Sequence, residues 1–311
     1  GGTLTNLTSD TNNVALGDEA LEAVTSGANN TGIGVNAGTA ITTGSGNTAL
    51  GHRSGEAITT ADNNVFIGKE AGLVNTTGTS NVAVGKDALV SNTTASNNVA
   101  VGYQALDANT TGGLSVAVGS GALGAQTTGD RNTAIGASAG SGITTGQGSI
   151  AIGYQALAAA TTGDDNVAIG SDSPNVDAAL ERTTTGVQNV AVGGGALTYN
   201  TTANEGCAVG YKALNKVTTG FGNTAVGANS GKAMTTNDRS SFFGNLAGAD
   251  TTGQKNTFLG CDAGYLVTSG SHNTILGRYT GNQGNLDIRT SSNYIVLSDG
   301  DGNPRLRWTG N

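Results

Sequence analysis

The sequence predicts an all-β protein, a parallel β-solenoid or β-roll of 17-residue coils, and three observations carry that prediction. The first is a pentapeptide that returns. Asn98-Val99-Ala100-Val101-Gly102 is followed seventeen residues later by Ser115-Val116-Ala117-Val118-Gly119. Its closing glycine recurs at Gly17, Gly34, Gly51, Gly68, Gly85, Gly102, Gly119, Gly136, Gly153 and Gly170. It resumes at Gly193, Gly210, Gly227, Gly244, Gly260 and Gly277, which makes sixteen copies. A fixed period of this kind marks a chain that grows by stacking like units. The second observation is composition: 52 glycines, two prolines and only 12% charged residues among 311. Disordered polar chains are solubilised by charge, and this one has too little. The third is the alternation of the three residues before each marker glycine, which fits a short strand.

Charge narrows the function. The net charge is −8 and the acidic groups are scattered, without the basic stripe that a nucleic-acid binder needs. No secretory signal, targeting segment or membrane-length apolar run is visible, so no membrane insertion is expected. The abrupt start at Gly1-Gly2-Thr3 is what a fragment of a longer protein would show. Cys207 and Cys261 lie three coils apart, roughly 14 Å at the strand spacing. A disulfide needs Cα atoms within about 7 Å, so two free, buried thiols are expected.

Taken in order, residues 1–12 carry no copy and form a lead-in. Residues 13–277 hold the sixteen coils, and residues 278–311 a C-terminal cap or neck. The residue before each marker is large and apolar, as Leu16, Ile33, Leu50 and Val101 are. Two places earlier stands Val, Ile, Thr, Cys or Ser. These two share one face of the strand and are expected to build the chain's own core. Between them a small residue points the other way: Ala83, Ala100, Ala117, Ala134, Ala151 and Ala168. It could be a tight fit inside one narrow coil. Restriction to alanine instead suggests that a second copy of the chain approaches there, and these six are the expected trimer-axis residues. Phe66, Phe242, Phe258 and Ile275 depart from the pattern, and the axis should widen or fill where they cluster.

Four residues after the marker stands Leu or Gly. Where it is Leu, as in Leu89, Leu106 and Leu123, the residue three further on is polar or small: Asn92, Asn109, Gln126. Where it is Gly, as in Gly38, Gly55 and Gly140, that residue is Ile41, Ile58 or Ile143. One core slot filled from either of two positions would conserve volume. Thr-Thr-Gly then closes the coil, with glycine supplying corner freedom and threonine hydroxyls satisfying backbone groups. The asparagine four places before the marker should stack as an amide ladder.

The spacing from Gly170 to Gly193 is 23, six residues too long, and the excess falls in Ser171 to Arg182. An irregular polar loop on a regular scaffold is where binding tends to sit. Asp172, Asn175, Asp177, Glu181 and Arg182 are therefore the candidate receptor contacts. After Gly277, two alternating runs around Asp299-Gly300-Asp301-Gly302-Asn303 read as a β-hairpin. The same segment imitates half a calcium loop, but Gly310 stands where the closing glutamate would be. His52 and His272 have no partner at metal-ligand spacing, and no carboxylates pair as acid and base. No catalytic residue, metal or cofactor is expected, and the chain is read as a non-enzyme.

The repeat resembles two related groups. Ser149-Ile150-Ala151-Ile152-Gly153 looks like the head repeat of trimeric autotransporter adhesins. Asn98-Val99-Ala100-Val101-Gly102-Tyr103-Gln104-Ala105-Leu106 and Ser149 to Leu157 are more similar to the repeat regions of phage tail fibres. Those repeats are often followed by Ile-Val-Leu-Ser-Asp-Gly-Asp-Gly-Asn, as at Ile295 to Asn303 here, and then by a self-cleaving intramolecular chaperone. The resemblance covers about residues 13–311 and implies a homotrimer, a place in the virion among other tail proteins, and attachment to a host-surface glycan or protein. A bacterial surface adhesin head, outside the cell, is the alternative it leaves. Two classes stand beside it: an ice-binding solenoid that uses the Thr-Thr column, and a fibre-borne depolymerase.

Overall fold

A computed structural model describes residues 12–174 and 176–309. The lead-in reading of residues 1–12 thus lies, but for Asn12, outside the described residues. The chain divides into two compact units, residues 1–149 and 150–311. In each, one three-residue strand per coil stacks in parallel on the strand of the next coil. The first unit holds β1 (Val14–Leu16), β2 (Thr31–Ile33), β3 (Thr48–Leu50), β4 (Val65–Ile67), β5 (Val82–Val84), β6 (Val99–Val101), β7 (Val116–Val118) and β8 (Thr133–Ile135). The second holds β9 (Ile150–Ile152), β10 (Val167–Ile169), β11 (Val190–Val192), β12 (Cys207–Val209), β13 (Thr224–Val226), β14 (Ser241–Phe243), β15 (Thr257–Leu259) and β16 (Thr274–Leu276). Register is position on position, Ala83 facing Ala100 and Ala100 facing Ala117. The expected parallel β-solenoid is what the chain forms, with no helix among the described residues.

The faces of the strand are the reverse of the expected ones. Ala83, Ala100, Ala117, Ala134, Ala151 and Ala168 are at most 1% exposed within a single chain. They line their own coil and cannot meet a second copy. The residues on either side of them point outward, with Leu50 40%, Ile135 43% and Leu259 47% exposed. The cause is width. The interior must also take Ala105 and Leu106 from the other side of the coil, both fully buried. That leaves space for little more than a methyl group at the middle of the strand.

The marker glycine turns the chain out of the strand at a φ that only glycine adopts readily. Gly102 has φ 140°, and a Cβ built on it would lie 2.5 Å from the carbonyl oxygen of Gly119 in the next coil. Beyond it the backbone forms stacked turns, bonded coil to coil, as when Leu89 N–H donates to Ala105 O at 3.0 Å. The Leu-or-Gly position lies in the left-handed region, φ 52° at Leu106 and 60° at Gly72. A leucine there costs about 1–2 kcal/mol of backbone strain, offset by full burial of its side chain at about 1.5–3 kcal/mol. Glycine avoids the strain and leaves a hole. At Gly55 that space is met by Ile58, whose Cδ1 lies 2.8 Å from a built Cβ, which is the expected exchange. The chain also uses a third solution. At Gly72, Gly248 and Gly264 the rings of Phe66, Phe242 and Phe258 occupy the slot from the middle of the strand, each at 0% exposure. The large residues therefore fill the coil and widen no axis.

Buried amides hold the corners. Asn98 Nδ2 donates to Gly112 O at 2.9 Å, and its Oδ1 accepts the Ser115 backbone N–H at 2.9 Å. The asparagine ladder thus couples each coil to the next and closes its own corner. A second buried ladder runs beside it in the first unit, Asn92 to Asn75 at 2.6 Å and Asn109 to Asn92 at 3.1 Å. Gln126 continues it and accepts from Asn132 Nδ2 at 2.9 Å. At the Thr-Thr corner the first hydroxyl donates to the next coil, Thr93 Oγ1 to Thr110 O at 3.1 Å.

Beyond β16 the second unit changes pattern. A short antiparallel pair, β17 (Asn282–Gln283) and β18 (Leu286–Asp287), precedes β19 (Tyr294–Ser298). β19 adds in parallel to β16, and β20 (Pro304–Thr309) pairs antiparallel with β19. Trp308, in the segment expected to form a cap or neck, is 53% exposed.

Candidate functional site

Two surfaces stand out once the coils are built. The first is the six-residue excess. The ordinary coil resumes at the buried Ala178-Ala179-Leu180, so the excursion itself spans residues 171–177. Ser173 and Val176 exchange backbone bonds of 2.8 and 3.0 Å, which close its tip. Val176 then lies over the next coil, its Cγ1 3.0 Å from where Gly194 would carry a Cβ. The run Gly193-Gly194-Gly195 is the sequence signal for this seat, and it passes unnoticed among so many glycines. Asp172, Asp177 and Glu181 converge, one carboxylate oxygen of each lying within 4.8 Å of the others. Arg182 sits 3.7 Å from Asp177 and stacks over the Tyr199 ring, its guanidinium carbon 4.3 Å from the ring centroid. Glu181 also accepts the Ala178 backbone N–H at 2.9 Å. Four of the five residues singled out by spacing are thus one cluster; Asn175 lies outside the described residues. The cluster offers charge of both signs and an aromatic ring, a surface suited to polar or sugar ligands.

The second surface is the outward side of the strands, which sequence reasoning assigned to the core. The first and last residues of β1 to β16 are Val, Ile, Leu, Phe, Thr, Ser or Cys without exception. An outward β face in contact with water ordinarily carries polar and charged side chains. Here Leu50, Val118 and Ile135 in the first unit, and Val226, Phe243, Leu259 and Leu276 in the second, are 36–47% exposed. Large uncharged surfaces of this kind mark sites of association.

Cys207 and Cys261 are free thiols, as expected, but half-buried and exposed rather than buried. Cys207 lies on the outward strand face, and Cys261 follows a marker glycine. Desolvation, with Asp262 beside it, pushes the Cys261 thiol up from its ordinary value, which lowers its reactivity near neutral pH. At most corners only the second threonine is fully exposed, Thr43, Thr60 and Thr77 among them, although Thr235 and Thr236 both are. A single file lacks the two-dimensional array that ice recognition would need.

In the C-terminal segment, Asp299 Oδ1 accepts the backbone N–H groups of Asp301 at 3.1 Å and Asn303 at 2.9 Å, and its other oxygen is bound by Arg305. These bonds, the Asn303 N–H first, hold the carboxyl down at about 2. A depressed value means that the stabilisation is present above the ordinary carboxylate range and is lost as pH falls through about 2. The turn should therefore persist down to about pH 3 and open only below it, read from the sole tryptophan, Trp308. Opening already at pH 4–5 in wild type, and equally in Asp299→Asn, would contradict this.

Among the described residues no helix is long and apolar enough to cross a membrane. No protein-family model matches the chain, and no curated protein matches its sequence.

Proposed function

We propose that the chain is a structural fibre or adhesin, a phage tail fibre shaft or head that attaches the virion to a host-cell surface. Its copies associate side by side through the outward strand face, as a homotrimer, with the C-terminal strands as a neck. The observation that supports association is the uncharged outward face, repeated in every coil. The number three, the virion and the host receptor rest on the resemblance of the repeat and tail to phage fibres, and the adhesin-head alternative shares them except for the virion. Many identical copies let weak receptor contacts add. The receptor contacts lie on the 171–182 cluster, which fits a glycan or a polar protein surface, and the chain carries no catalysis of its own.

Solution mass tests the assembly: three chains are expected, and a monomer overturns it. Deleting residues 173–178 tests the receptor surface. The deletion restores a spacing of 17 between the markers now at Gly170 and Gly193, so the coils should stay folded while host adsorption falls. Intact adsorption by the folded variant would make the chain a spacer. Cleavage of host polysaccharide by the purified protein would replace both readings with an enzyme.

A further inference from the structure

The end of the second unit carries a surface of different character. β19 extends the parallel stack, with Val296 inward at 1% exposure and Ile295 and Leu297 outward. In the antiparallel pair with β20, Ile295 faces Trp308, Val296 faces Arg307 and Leu297 faces Leu306. Residues opposed in such a pair share a face. Leu306 and Trp308, 45% and 53% exposed, therefore continue the apolar outward face. Arg307 stands on the face that in every coil below is core. A guanidinium there disfavours another coil of the same pattern, because the alanine-type strand of such a coil would bury it without a partner.

No strand pairs with the far side of β20, since β19 is its only strand neighbour among the described residues, although the turn at Gly284 lies against Pro304 at its start. Beside that edge lies a groove of about 390 Å³, lined by residues 284–286 and 304–307. Arg305 is held there by Asp299, whereas Arg307 makes no ion pair or side-chain hydrogen bond among the described residues. An exposed edge strand is a template for pairing with another chain. A second β20 is a poor occupant, because pairing would bring the arginines of two copies together, and like charges across strands repel.

We propose that the free edge of β20 takes up an extended segment of another polypeptide with acidic side chains on one face and apolar ones on the other. The segment adds as a strand. Its carboxylates meet Arg307 and the groove, and its apolar side chains lie beside Leu306 and Trp308. This site is independent of the receptor loop, and it lies at the end of the outward face, which Leu306 and Trp308 continue.

Trp308 is the only tryptophan, so its fluorescence in the intact chain reports occupancy directly. The probe is a blocked hexapeptide, Thr-Val-Glu-Val-Glu-Thr, compared with its lysine counterpart and with a version N-methylated at alternate residues. Saturable change with the acidic peptide, roughly tenfold weaker binding of the lysine peptide, and loss on N-methylation are expected. Arg307→Glu should reverse the order of the two charged peptides. Equal binding of both charged peptides reduces the site to an apolar patch and overturns the proposal, as does binding that survives N-methylation. Absence of any response at millimolar peptide overturns it too. So does a change in the number of chains per particle on Arg307→Glu, read by native mass, which would show that β20 pairs with its own copy.

Discussion

Ala100→Lys is expected to unfold the coils around β6, whereas Leu259→Lys with Leu276→Lys should leave the chain folded and separate its copies. Ala100 is at 0% exposure inside its own coil, in register with Ala83 and Ala117. A lysine there must either bury an ammonium or lose its proton, and it overfills a space sized for a methyl group. The combined cost is on the order of 5 kcal/mol. In a solenoid that loss is felt first by neighbouring coils, so a fraying segment and a lower melting temperature are the expected signs. Leu259 and Leu276 are each 47% exposed and adjacent in the outward file. Lysine at either is solvated in the single chain, so its effect falls on association alone. Circular dichroism separates the first effect from the second, and native mass reads the second. A folded Ala100→Lys protein with wild-type melting would refute the inward placement of the alanines. An unchanged mass for the double lysine variant would remove the outward face as the contact between copies.

That contrast also shows where the sequence misled. The period of 17, the strand before each marker and the six-residue excess are all legible, because each leaves a mark in spacing. Alternation by period two says that Ala100 and its flanking valines lie on opposite faces. It does not say which face is inside. The rule that large apolar residues go inward decided the matter wrongly, since the interior of a coil this narrow is filled by Leu106 from the opposite side. The same narrowness hid the second amide ladder. Asn92 and Asn109 read only as polar residues three places after a leucine, yet they and Asn75 each donate an amide to a corner carbonyl at 2.9–3.1 Å. In the loop, the identities of Asp172, Asp177 and Glu181 were readable, but their convergence depends on the turn closed by Ser173 and Val176. No spacing rule encodes that turn.

The exchange of core volume between three backbone positions leads to the second large expectation. Phe66→Ala should destabilise the first unit by about 3–5 kcal/mol, as for a fully buried aromatic ring cut back to a methyl group. Gly72→Leu alone should also be harmful. A Cβ at Gly72 would stand 2.5 Å from Cδ2 and Cε2 of Phe66, and ring and leucine cannot share the slot. Made together, the two changes write into this coil the alanine and leucine that the next one carries at Ala83 and Leu89. Leucine tolerates the backbone there, since Leu89 has φ 52° where Gly72 has φ 60°. The double variant should then recover roughly 2–3 kcal/mol of the loss from Phe66→Ala, a favourable coupling of the kind that contacting residues show. Recovery should stop short of wild type, because the left-handed leucine keeps its strain of about 1–2 kcal/mol. Chemical unfolding of the four proteins measures the coupling. Strict additivity would mean that Phe66 and position 72 do not compete for one space, and the volume rule would then fail in the coil that displays it most plainly.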